Sequence, residues 1–255
     1  MHVHPVSGTE RWIAGGGRDA APGAELSLFC FAHAGGGAAF FRPWKAVLGP
    51  DVGVHPVLLP GRESRLRELP YRRIEQLIDP LCAALEPHLD RPYAFFGHSL
   101  GSLLAYEVAR RFDPVCLLVS GRRAAHLPAG RPLFSTLPDE EFLTVVDRLN
   151  GTPPEVMGQP ELLRLLLPAL RSDFELNEIY QHLPGPLLTC PVAAYMGADD
   201  PEVTPAELLG WRELTTAEFT LRIFAGDHFY LRDGRRDVLD AVRRDLASWS
   251  GRDAT

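Results

Sequence analysis

The chain lacks the features that mark membrane, nucleic-acid and metal proteins. No apolar run approaches the ~18 residues needed to cross a bilayer, and Met1–Gly17 has no basic segment followed by an apolar one of the kind that opens a secretory leader. No C-x-x-C spacing occurs. Cys30, Cys82, Cys116 and Cys190 are far apart, and three of them stand in or beside apolar stretches, as buried reduced thiols do. Lysine is nearly missing: Lys45 is alone among the arginines, and a net charge of −7 leaves no basic footprint for nucleic acid. These absences predict a cytoplasmic protein that uses neither metal nor disulfide and meets neither nucleic acid nor membrane.

What is present reads as one globular α/β domain over residues 1–255, with 45% hydrophobic and 23% charged residues. After a Gly/Ala-rich lead-in ending near Ala24, short apolar runs alternate with helical patterns. Leu26–Phe31, Val54–Leu58, Tyr93–Phe96, Val115–Ser120, Val192–Met196 and Phe219–Phe224 are candidate strands. Most are too apolar to have a wet face, which predicts a mostly parallel sheet covered by helices on both sides. Ile74, Leu77, Ile78, Leu81 and Leu85 form one helical stripe, and Val238, Val242, Leu246 and Trp249 form another. Pro80 interrupts the first, so a kink or a fresh start capped by Asp79 is expected there. Between the fourth and fifth strands, Ala124 to Leu188 holds helical patterns at Asp139–Leu149 and Pro160–Leu183 and no convincing strand. That is too long for a simple crossover and predicts a helical lid over the carboxyl edge of the sheet.

The strongest chemical signal is Gly97-His98-Ser99-Leu100-Gly101, which follows an apolar strand and opens the helical run Leu100–Arg111. In a G-x-S-x-G elbow the glycines relieve crowding in a sharp turn that lifts the serine hydroxyl above the sheet, so Ser99 is the candidate nucleophile. A serine needs a base, and the base needs a carboxylate to fix its tautomer. His228, just after the last strand, stands where the base belongs, whereas His2, His4, His88, His126 and His182 do not. The acid comes from Asp199-Asp200-Pro201 after the fifth strand. Asp200 is favoured because the following proline biases it to an extended geometry, while Asp199 supports the turn. A second glycine cluster, His33-Ala34-Gly35-Gly36-Gly37, lacks the endings of a P-loop and of a dinucleotide fingerprint. It reads as the oxyanion loop, with the N–H of Ala34 as one donor and that of Leu100 as the other; a purely structural glycine turn is the competing reading.

Six blocks then resemble one family. Phe29–Phe41, Leu59–Arg62, Phe95–Gly101, Val119–Ala124, Leu167–Asp173 and Gly226–Leu231 are similar, in order, to the type II thioesterases of polyketide and nonribosomal-peptide synthesis. The likeness runs from about Trp12 to Trp249. It departs at Ala198, where the family's turn carries an aspartate, and at Ala32, where a proline usually precedes the histidine. The resemblance implies an α/β-hydrolase fold, a Ser99, Asp200 and His228 triad, and no metal or organic cofactor. It also implies a partner: an acyl or peptidyl carrier protein whose phosphopantetheine arm bears the acyl group to be removed.

Leu143, Val146, Leu149, Leu163, Leu166 and Phe174 are candidates for an acyl channel, with plain core packing as the alternative. Arg62, Arg65, Arg67, Arg72 and Arg73 are candidates for meeting an acidic carrier protein, with a solvated basic face as the alternative. A general ester hydrolase and a noncatalytic protein on the same fold are the competing functions.

Overall fold

The computed structural model describes residues 11–15, 23–128, 132–149, 151, 158–232 and 235–250; His2, His4 and most of the lead-in lie outside them. In chain order the main elements are β1 (Leu26–Phe31), α1 (Trp44–Leu48), β2 (Val52–Pro56), α2 (Ile74–Leu85), β3 (Tyr93–His98), α3 (Leu100–Ala109) and β4 (Leu117–Ser120). There follow α4 (Asp139–Arg148), α5 (Pro160–Ile179), β5 (Val192–Gly197), α6 (Pro205–Leu209), β6 (Phe219–Phe224) and α7 (Arg236–Trp249).

The six strands form one sheet in the order β2-β1-β3-β4-β5-β6, and every pairing is parallel. Every residue of β1 and β5 is buried, so these segments have no polar face to alternate with. Alternate residues divide between two cores. Leu28, Phe96 and Tyr195 pack on one side with Trp44 of α1 and Val238, Val242 and Leu246 of α7. Phe29, Phe95 and Ala194 pack on the other with the stripe of α2 and the apolar side of α3. The edge strand β6 is only half-buried, and Ile223 is exposed.

Three sequence expectations need correction. The helix at Ile74–Leu85 is continuous through Pro80, so Asp79 caps nothing; its carboxylate instead pairs with Arg111 at 3.2 Å. The second strand starts and ends two residues earlier than its apolar run, because Val52 is the residue registered against Leu26, and Val57 forms an antiparallel bridge to Ile13 of the lead-in. The helix from Pro160 ends at Ile179, before Pro184 and Pro186, which supply no backbone N–H to continue it.

The β4–β5 connection holds α4 and α5 and no named strand among the described residues. Phe142, Val146 and Leu170 join these two helices in a small core of their own. No helix among the described residues is long and apolar enough to cross a membrane.

Candidate active site

The end of β3 and the start of α3 are separated by one residue, Ser99, whose backbone sits at φ 54° and ψ −119°. A side chain in that region is strained, and it persists only where the surroundings over-determine it. Here they do. A Cβ on Gly97 would stand 2.1 Å from the carbonyl oxygen of Gly101, and one on Gly101 would stand 2.0 Å from that of Phe31. The N–H of Ser99 donates to the carbonyl of Ser120 at 2.8 Å, and the Ser102 hydroxyl donates to the Gly97 carbonyl at 2.8 Å. Backbone from β1, β3, α3 and β4 therefore closes around the turn.

The loops after β5 and β6 are seated in the same manner. A Cβ on Gly197 would meet the carbonyl oxygens of Asp227 at 2.2 Å and Gly226 at 2.4 Å. The N–H of Asp199 donates to the Gly226 carbonyl at 3.0 Å. This direct apposition brings Asp200 against His228: the imidazole Nδ1 lies 3.0 and 2.9 Å from the two carboxylate oxygens. Asp200 is fully buried in its side chain and also accepts the N–H of Glu202 at 2.8 Å, while Asp199 is exposed and supports the turn through its backbone. With Nδ1–H given to Asp200, the other ring nitrogen, Nε2, is left to serve as a base.

Behind this pair lies a buried aromatic and hydroxyl cluster. The His98 ring packs on His228 with 4.9 Å between centroids, and its Nδ1 is 2.9 Å from the Ser120 hydroxyl, which is 2.7 Å from the Tyr230 hydroxyl. Burial lowers the pKa of His98 well below the usual imidazole value, and the charges of His228 and His33 push the same way. Burial likewise takes His33, aided by His228, Arg232 and Arg62, down to about 3. Both rings stay neutral at ordinary pH. Burial raises the Tyr230 phenol, which therefore serves as a hydrogen-bonding group only.

Ser99, His228 and Ala34 share the wall of one chamber of about 60 Å³. Val146, Leu149 and Phe174 of the β4–β5 connection also line it. A second, apolar cavity of about 210 Å³ adjoins it across Ala34, Gly151 and Leu170, and Leu143, Leu163 and Leu166 stand in its wall. All six candidate channel residues thus line one cavity or the other. A larger groove of about 420 Å³, between the end of α3 and residues 183–190, shares none of the triad candidates. Leu100 opens α3, so its N–H is among those that a helix leaves without an intrahelical carbonyl.

The arginine run is a correction. Arg62 is buried and makes two bonds to the buried carboxylate of Asp173, at 2.7 and 2.8 Å. Arg65 is also buried: it donates to the Leu58 carbonyl at 2.9 Å, pairs with Glu68 and lies over the Trp12 ring. A pair such as Arg62–Asp173 leaves a charge stranded in the core if one partner is removed, a loss of about 3–5 kcal/mol. Only Arg67, Arg72 and Arg73 of the five are exposed. Sequence reasoning assigned no role to Asp173, Ser120, Tyr230 or Gly197. The signal available for Gly197 was its place at the carboxyl end of a strand. Among the described residues, no three His, Cys, Asp or Glu side chains converge on a metal site.

The sequence profile of the family described as "Thioesterase domain" matches residues 27–246. Linear gramicidin dehydrogenase LgrE of Brevibacillus parabrevis is 40% identical over 257 residues, covering 97% of this chain and 95% of its own. Among solved structures, the RedJ thioesterase of the prodiginine biosynthetic pathway in Streptomyces coelicolor is 42% identical with a TM-score of 0.82, covering 89% of this chain and 87% of that one. The type II thioesterase BorB from the borrelidin biosynthetic cluster is 38% identical with a TM-score of 0.76, covering 89% and 92%. The name of the first denotes a redox reaction; the glycine loop here lacks the G-x-G-x-x-G spacing of a dinucleotide site.

Proposed function

The chain belongs to the thioesterase domain family, and from that premise we propose that it is a stand-alone type II thioesterase of a polyketide or nonribosomal-peptide assembly line. It hydrolyses acyl thioesters carried on the phosphopantetheine arm of a carrier protein. The observation that carries the reading is the approach of His228 Nδ1 to the buried Asp200 carboxylate at 2.9 and 3.0 Å, with the same imidazole on the wall it shares with Ser99.

In this reading the Ser99 hydroxyl attacks the thioester carbonyl and its proton passes to Nε2 of His228. Asp200 holds the ring by its Nδ1–H and stabilises the imidazolium. The N–H groups of Ala34 and Leu100 receive the oxyanion, where loss of one such donor typically costs about 3 kcal/mol of transition-state stabilisation. Collapse of the tetrahedral species breaks the C–S bond, and the departing thiolate takes the proton from Nε2. Water, deprotonated by Nε2, then attacks the acyl-serine carbonyl; the carboxylic acid leaves and the hydroxyl of Ser99 is restored. No metal or organic cofactor enters these steps.

The acyl chain lies in the apolar cavity beside the chamber, and α4 and α5 act as the lid of a single domain. The carrier protein approaches the exposed Arg67 and Arg73, which complement its acidic surface. Reversing both charges slows hydrolysis of carrier-bound acyl groups and spares small N-acetylcysteamine thioesters; equal effects on both would discard the docking site. The triad is tested by Ser99→Ala. It should lose fluorophosphonate labelling and lower thioester turnover by a factor on the order of 10⁵–10⁶. A variant that still turns over at a parental rate sinks the assignment.

A further inference from the structure

The glycine loop that carries Ala34 is held by two residues far from it in sequence. The N–H of Gly35 donates to Asp173 Oδ2 at 2.7 Å. The same carboxylate takes both terminal nitrogens of Arg62, and Arg62 Nη1 in turn donates to the Gly36 carbonyl at 3.0 Å. Asp173 and Arg62 therefore hold the first and third peptide groups after Ala34, through the Gly35 N–H and the Gly36 C=O, while the peptide between them is closed by the Gly36 N–H donating to the His33 carbonyl at 2.9 Å. Both side chains are almost wholly removed from solvent, at 1% and 7% exposure. Asp173 belongs to α5, whose Leu163, Leu166 and Leu170 form a wall of the apolar cavity. One helix thus both walls the cavity and braces the loop.

We propose that the Asp173–Arg62 pair is a positioning device for the oxyanion donor, resting on the reading above that Ala34 supplies it. The Ala34 N–H can aim at the chamber only while these peptides keep their orientation. Asp173 provides the acceptor that a Gly35 N–H would otherwise seek elsewhere, and Arg62 prevents that carboxylate from turning away. Displacement of α5 from the core withdraws Asp173 and frees the loop. The consequence is a site that is competent only with this helix seated, so that the acyl group packed against its leucines influences the rate of chemistry as well as binding.

The test uses Asp173→Asn, Arg62→Met and the double variant Arg62→Met/Asp173→Leu, assayed with octanoyl-N-acetylcysteamine and with an alkylboronic acid that forms a tetrahedral adduct on serine. The double variant removes both charges together, which a core tolerates far better than losing one. It keeps the protein folded where the single variants fail to fold. Expected are a 30- to 300-fold fall in kcat, a KM within 3-fold of the parent and a boronate affinity lowered by a factor similar to that in kcat. Asp173→Asn, which keeps an acceptor for the Gly35 N–H, falls between the parent and the double variant. A merely structural pair predicts another pattern: lower melting temperature or active fraction with kcat per labelled site and boronate affinity unchanged. That pattern, or a double variant within 3-fold of parental kcat, overturns the proposal. An unaltered parent that hydrolyses no acyl thioester sinks the functional reading beneath it instead, so the two failures are distinguishable.

Discussion

The serine elbow and the glycine loop face one chamber from neighbouring strands, β3 and β1, yet the fold holds them by different means. The elbow is gripped by main chain: glycines at 97 and 101 admit carbonyl oxygens to within van der Waals contact, and the turn is hydrogen-bonded to β4. The acid and histidine loops follow the elbow's pattern through Gly197. The glycine loop has one main-chain turn bond of its own, from the Gly36 N–H to the His33 carbonyl, and is tied to the rest of the molecule by side chains, from Asp173 on one distant helix and Arg62 on another loop. Main-chain seating makes a turn intolerant of one added methyl but indifferent to remote residues. Side-chain seating makes the glycine loop depend on remote residues, and on the proposed positioning role it lets the position of α5 reach the chemistry.

The sharpest way to test the main-chain half is Asp200→Asn. Its turn stays seated by Gly197, so the protein should fold with a parental melting profile while kcat falls by about 10⁴, the scale set by loss of the carboxylate partner in such triads. A loss of stability in step with activity would show that the carboxylate, and not the backbone, holds the loop. Next in size is Gly101→Ala. Its new Cβ meets carbonyl backbone of β1 that cannot swing aside, so unfolding free energy should drop by about 3 kcal/mol or more in chemical denaturation. An unchanged midpoint would mean that the elbow is looser than the contacts imply.

The third prediction compares the two regions directly, because His33 belongs to the glycine loop and His98 to the elbow. An unfolded histidine takes up its proton near pH 6.5, whereas folded His33 resists until about 3 and folded His98 is held well below the usual value. Protons then bind the unfolded chain preferentially, so stability is lost as pH falls below about 6.5. Each ring contributes a slope of up to about 1.4 kcal/mol per pH unit. Denaturant midpoints measured between pH 7 and 4.5 should show a shallower acid limb in His33→Gln than in the parent. An identical limb would mean that His33 is reached by solvent protons in the folded state.

How much of this was legible in the sequence follows the same division. The elbow could be read because its glycines, strand and helix are contiguous, and His228 because it directly follows the last strand. All six strands were found, with limits displaced by up to two residues, either where an apolar run continues beyond its ladder, as at Val57 and Leu58, or where the ladder continues past the apolar run, as at Gly97 and His98. Asp200 could be preferred over Asp199 from Pro201 alone, and it is the Asp200 carboxylate that is buried against His228. Arg62 could not be read. A buried arginine and an exposed one are the same letter, and its partner lies 111 positions away. Asp173 and Tyr230 were invisible for the same reason: their roles exist only after the chain has brought β1, α5 and the loop after β6 together. The fresh start at Asp79 is overturned because a helix packed on a sheet gains enough from burying Leu77, Ile78 and Leu81 to absorb one missing hydrogen bond.

Ser99 occupies a torsional seat, at φ 54°, that a residue without a side chain would fill with less strain. Conformations of this kind cost of order 1–3 kcal/mol, a sizeable share of the 5–15 kcal/mol margin by which ordinary domains stay folded. With Ser99 as the proposed nucleophile, heat tolerance and reactivity pull in opposite directions on this one position, and attempts to engineer a hardier enzyme have to gain their margin elsewhere in the chain.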